Sequence, residues 1–125
     1  MKTKIYSQHS EHTEWLNKLA FYKDEIGIMQ NRLEEVGSKN TGKDVMVEVE
    51  HFQNQLMIQE ENIHKISHHI SRDEKQVEKN IMENPVASDH RKTEDHSEER
   101  AMVESFEKNF NELRTDFKAF LSKRL

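Results

Sequence analysis

The 125-residue chain has no cysteine, one proline and three glycines. Without cysteine there are no disulfides and no thiolate to act as nucleophile or metal ligand. With so few helix breakers, long helices are favoured over many short strands and tight turns. No apolar run approaches the roughly 18 residues that a membrane-spanning helix needs, so no membrane partner is expected. A basic stripe is also missing. The net charge is −5 and lysines and arginines are interspersed with acids, so nothing is set out to neutralise phosphates and no nucleic-acid partner is expected. A basic amphipathic face for a membrane surface is equally lacking. There is no glycine-rich phosphate loop and no serine set beside a histidine and an acid in a pocket-forming scaffold, so an enzyme is not expected. The N-terminal stretch MKTKIYSQHSEH carries lysines with no apolar segment behind them. A secretory signal is therefore not expected, and the cytoplasm is the expected compartment.

Apolar residues make up 33% of the chain and charged residues 34%, so any core must be narrow and regular. The length suits a single helical domain over residues 1–125. In the first third, Trp15, Leu19, Tyr22, Ile26, Met29, Leu33 and Val36 recur at alternating steps of four and three, the spacing of a heptad seam. Gly37 then reads as a stop, and Thr41 with Asp44 behind it as the cap and acidic first turn of the next helix. A second seam runs Val45, Val49, Phe52, Leu56, Gln59, Ile63, Ile66, Ile70, Asp73, Val77 and breaks at Asn84-Pro85. A third runs His96, Glu99, Val103, Phe106, Phe110, Leu113, Phe117, Phe120, Arg124. The predicted fold is all-α: an up-down-up antiparallel three-helix bundle of long, heptad-patterned, coiled-coil-like helices over about 7–36, 42–83 and 88–123. The polar run from Ser88 to Arg100 leaves the start of the third helix open between there and about Thr93.

Antiparallel pairing of the seams predicts the layers Leu33/Val49/Phe120, Met29/Phe52/Phe117, Ile26/Leu56/Leu113, Leu19/Ile63/Phe106 and Trp15/Ile66/Val103. Among them lies Tyr22/Gln59/Phe110, where the tyrosine hydroxyl is expected to satisfy the Gln59 amide. Flanking residues choose a hand for the bundle. The second and third helices are expected to meet through their e positions, Met46 facing Leu121 and Ile81 facing Val86. The first and second meet through g positions, Arg32 facing Glu48 and Glu11 facing His69; the first and third bring Leu16 to Met102.

Eight histidines are the compositional oddity. Glu61-x-x-His64, His64-x-x-x-His68 and Glu48-x-x-His51 have metal-motif spacing, but all lie on one helix and off its seam. A di-iron or hemerythrin-like centre needs ligands directed inward from several helices, so these read as a solvated face. The other group lies beyond the Trp15 layer, where the seams turn polar: His12/Ile70/Glu99, then Gln8/Asp73/His96, with His9 expected near Asp95. No metal is expected and no cofactor is called for. Should an ion such as zinc bind, the candidate ligands are His12, His69, Asp73, His96 and Glu99. Histidine–carboxylate pairs there would also make stability depend on pH.

The apolar residues left over are Phe21, Ile28, Ile58 and Met57, beside the small Ala20 and Gly27. This row is the expected partner-binding face, for a second copy of the chain or another helical protein. The expected function is a small non-enzymatic bundle acting through protein–protein interaction or self-association. The alternative is a metal- or pH-responsive bundle that uses the polar end.

Overall fold

The computed structural model describes residues 2–83 and 90–124, with side chains over 6–83 and 96–124. Helices α1 (Lys2–Lys39), α2 (Lys43–Glu83) and α3 (His90–Arg124) form the up-down-up three-helix bundle that the seams predict, with no strand among the described residues. No described helix is long and apolar enough to cross a membrane.

Burial on α2 falls at Val45, Val49, Phe52, Leu56, Gln59, Ile63, Ile66, Ile70, Asp73 and Val77, with Glu74 buried beside them. Steps of four and three keep these positions on one side of the helix, so that stripe is buried against two neighbours while Val47, Met57, Ile58 and Met82 stay exposed. The corresponding stripes of α1 and α3 complete one continuous core from Val36 and Val45 at one end to Trp15, Ile70 and Val103 at the other. Its aromatic contacts follow the expected layers: Phe52 meets Phe117 edge-on at 5.3 Å and Tyr22 meets Phe110 at 5.0 Å.

The turn between α1 and α2 departs from expectation. Gly37 does not stop α1, which continues to Lys39. The helix ends at Asn40, whose backbone and side-chain amides both donate to the Val36 carbonyl at 3.0 Å. Thr41 does not cap α2 either: Met46 N–H bonds the Gly42 carbonyl, so the first helical bond closes on Gly42. A side chain at Gly42 would place its Cβ 2.9 Å from Asp44 Oδ1, so the exposed carboxylate would have to swing aside to admit it. α1 also begins earlier than about residue 7, at Lys2, and α3 begins at His90. The expected break at Asn84-Pro85 and the Ile81–Val86 contact lie outside the described residues.

The hand of the bundle is the opposite of the one the flanking residues suggest. Glu11–Arg100, Lys18–Glu107 and Glu25–Arg114 tie α1 to α3, each across the same offset of 89 residues, which is the signature of two parallel helices in register. Glu11, Lys18 and Glu25 are g positions, so that flank of α1 faces α3 and not α2. The e flanks of α1 and α2 meet instead, through His9–Glu74 and Gln30–Glu60. The expected contacts Glu11–His69 and Arg32–Glu48 are therefore not made: Arg32 pairs with Glu35 on its own helix, and Glu48 with Arg124 of α3. For the same reason Tyr22 turns toward α3 and donates its hydroxyl to Glu107 at 2.9 Å. Gln59 Oε1 is left buried with no hydrogen-bond partner.

Candidate metal centre

The apolar core stops at Trp15, whose ring packs on His96 at 4.8 Å and on His12 at 5.9 Å between centroids. Beyond it the helices continue with the same period, so whatever occupies the stripe is carried inside. Here most of the occupants are polar, with Ile70 and Val77 of α2 the apolar exceptions. Glu99 is 0% exposed and His12 1%, with Gln8, Asp73, Glu74 and His96 also buried.

His12, from α1, stands at the centre. Its Nδ1–H donates to Glu74 Oε1 at 2.8 Å and its Nε2 meets Glu99 Oε1 at 3.0 Å. The other oxygen of Glu99 accepts from His69 Nδ1 at 2.8 Å, and the same nitrogen lies 3.8 Å from Asp73 Oδ2. His96 presents Nδ1 to His12 Nε2 at 3.3 Å, while its Nε2–H donates to Glu11 Oε1 at 2.9 Å. Glu11 is in turn held by Arg100 through both oxygens, at 2.7 and 3.0 Å. His9 donates to the second oxygen of Glu74.

Burial alone lowers the pKa of the His12 imidazole, but the bonds to Glu99 and Glu74 outweigh it and hold the ring above the usual histidine range. Glu99 shows the counterpart. Burial favours its neutral form, yet bonds from His12, Asp73 and His69 bring it below the usual carboxylate range. Glu11 is lowered by His96 and Arg100 against the same opposing effect of burial.

Each of His12, His69, Asp73, His96 and Glu99 lies in this cluster, which draws on all three helices. His12, His96 and Glu99 offer ligand atoms within 4.8 Å of one another, as do His69, Asp73 and Glu99, and also His9, Glu74 and Glu78. His51, Glu61, His64 and His68 are exposed, as a solvated face requires. Glu11 belongs to His96 rather than His69, and His9 bonds Glu74; the Asp95 side chain, its expected partner, lies outside those described. Glu74 is the residue that sequence reasoning missed. It follows a seam position on the e flank, and with the hand reversed that flank points at α3. With the observed hand it points at His9 and His12.

The proposed partner face is exposed as expected, with Phe21 68%, Ile28 62% and Met57 63% accessible and Ile58 and Ala20 also exposed. Gly27 beside them opens on empty space. A shallow groove bounded by Lys23, Gln30, Asn54, Met57, Ile58 and Glu61 runs along this side and shares no residue with the histidine cluster. No protein-family model, curated protein or solved structure matches the chain.

Proposed function

We propose that this bundle is a binding protein, not an enzyme, and that it holds a divalent transition-metal ion such as zinc between His12, His96 and Glu99. One observation carries the reading. Both imidazoles give their outer nitrogen to a carboxylate, Glu74 and Glu11, and turn their inner nitrogens toward each other at 3.3 Å beside Glu99. Two inward lone pairs at that separation need something positive between them. In the metal-free protein a proton on His12 fills the role. An ion fills it with better geometry, because donors about 2.0–2.1 Å from a tetrahedral zinc lie roughly 3.3 Å from one another. A carboxylate on the far nitrogen is how metal-binding histidines are commonly oriented.

Charge supports the same conclusion. Glu11, Asp73, Glu74 and Glu99 are gathered at this end of the bundle, Glu11 against the Arg100 guanidinium and the other three among His9, His12 and His69, and buried negative charge is costly unless a cation answers it. The donor set of imidazole and carboxylate suits zinc and its neighbours rather than calcium or magnesium. The non-catalytic reading rests on enclosure: the three ligands are almost wholly buried among their own helices, which leaves a substrate no approach. Calorimetric titration of chelator-stripped protein with Zn²⁺ tests the proposal. Loss of the ion held by His12, His96 and Glu99 in both His12→Ala and His96→Ala, with helicity retained, is expected; absence of binding rejects it.

A second reading, self-association, is favoured by the exposure of Phe21, Ile28 and Met57 along one side. Beside Ala20 and Gly27 a second copy of the chain can approach closely. Phe21→Glu combined with Ile28→Lys is expected to return a dimer to monomer mass in light scattering. An unchanged mass would place the interface elsewhere.

A further inference from the structure

We infer that Glu99 bridges two metal ions, the second bound by His69 and Asp73, so that the polar end is a carboxylate-bridged dinuclear centre. The inference rests on the metal-binding reading above and extends it.

Glu99 is the one residue common to both buried ligand groups. Its two oxygens are divided between them: Oε1 faces His12 at 3.0 Å and Oε2 faces His69 at 2.8 Å. A carboxylate presented this way is a natural bridge between ions about 3.5–4 Å apart. The second group is built on α2, where His69 and Asp73 are one helical turn apart on the side facing α3, with His69 Nδ1 and Asp73 Oδ2 3.8 Å from each other. The donors are thus already spaced for an ion to enter among them.

His69, Asp73 and Glu99 each offer a ligand atom within 4.8 Å of the others, so one divalent ion can take an oxygen from each acid and a nitrogen from the imidazole. The competing group of His9, Glu74 and Glu78 is less suited. Glu78 is exposed, and Glu74 already orients His12. The second ion therefore goes to the buried group. Two nitrogens with one oxygen on one side, and one nitrogen with two oxygens on the other, select zinc, cobalt(II), iron(II) or manganese(II) over thiophilic copper(I) and over oxygen-seeking calcium.

Metal stoichiometry on chelator-stripped full-length protein tests the bridge, using Co²⁺ with equilibrium dialysis and Mn²⁺ with electron paramagnetic resonance. The expected result is two equivalents of Co²⁺ per chain, reduced to one by Asp73→Asn or by His69→Gln. His69 is part-exposed, which makes its variant the safer of the two for folding, and circular dichroism confirms helicity in each. The Mn²⁺-loaded parent should give an exchange-coupled signal. A single equivalent unaffected by either substitution overturns the bridge and leaves the His12/His96/Glu99 ion standing. Two equivalents with only the signal of isolated Mn²⁺ also overturn it. No uptake of either ion overturns both readings.

Discussion

His12 and Glu74 are 62 positions apart in the chain and joined by a 2.8 Å hydrogen bond in the fold. That bond sets the orientation of the imidazole. With Nδ1 committed to Glu74, Nε2 must face Glu99 and His96. Removing the carboxylate charge while keeping the shape leaves the ring less basic and freer to turn. Glu74→Gln is therefore expected to weaken Zn²⁺ binding by about 10–100-fold, and Glu11→Gln to do the same through His96. Isothermal titration at fixed pH measures both, and unchanged affinities would show that neither carboxylate positions its histidine.

Metal binding at this end should also stabilise the bundle, because His12 comes from α1 and His96 and Glu99 from α3, and they disperse on unfolding. At a free Zn²⁺ concentration 100 times the dissociation constant, the gain is about 2.7 kcal/mol. Thermal unfolding followed by far-UV circular dichroism should move upward with Zn²⁺ and return with chelator. In His12→Ala the metal-dependent shift should shrink. An undiminished shift in His12→Ala would locate the ion at another site.

Gln59 offers a stabilising substitution. It lies in the buried stripe between Leu56 and Ile63, yet its Oε1 has no partner because Tyr22 is engaged with Glu107. An unsatisfied buried amide oxygen costs about 1–3 kcal/mol, and replacement by an apolar group of similar shape removes that cost. Gln59→Leu is expected to raise unfolding free energy in urea by an amount in that range. A loss of stability instead would mean that the amide fixes the level at which the helices meet.

The stripes, the layers and the polar end were legible in the sequence because each follows from a local period repeated along a helix. The gathering of His12, Asp73, His96 and Glu99 came from that period too, since a seam position is carried inward whatever residue holds it; His69, a g position, was placed there by an expected contact with Glu11 and reaches the cluster through Glu99 instead. The hand of the bundle was not legible in the same way. Glu11 has an oppositely charged or titratable candidate in either hand, His69 in one and Arg100 in the other, so pairwise plausibility does not decide between them. What decides is the repeated offset shared by Glu11–Arg100, Lys18–Glu107 and Glu25–Arg114, three pairs in one parallel register. From that error followed the misassignment of Glu11 and Arg32, the missed Glu74 and the supposed Tyr22–Gln59 bond. Gly37 was misread for a different reason. With a helical backbone it is tolerated within α1, and the chain turns where Asn40 can bond the Val36 carbonyl.

Tyr22 supplies a pH-dependent prediction far from the metal centre. Its hydroxyl is partly buried, donates to Glu107 at 2.9 Å and lies near Arg114, whose guanidinium is 5.8 Å from the ring centroid. Burial comes first and the Glu107 carboxylate second in pushing the phenol above its usual value, with Arg114 opposing them. Folding thus favours the protonated phenol. The stability this confers is complete below the ordinary tyrosine value of about 10, and is lost as pH rises through the higher folded value. The chain has two tyrosines, so Tyr6→Phe leaves Tyr22 as the only reporter. In that variant, tyrosinate absorbance should develop above about pH 10, later than in the urea-unfolded chain. Adding Glu107→Gln should bring the folded transition down toward the unfolded one and reduce the alkaline loss of stability. A folded titration that does not move with Glu107→Gln would remove the carboxylate from the explanation and leave burial alone.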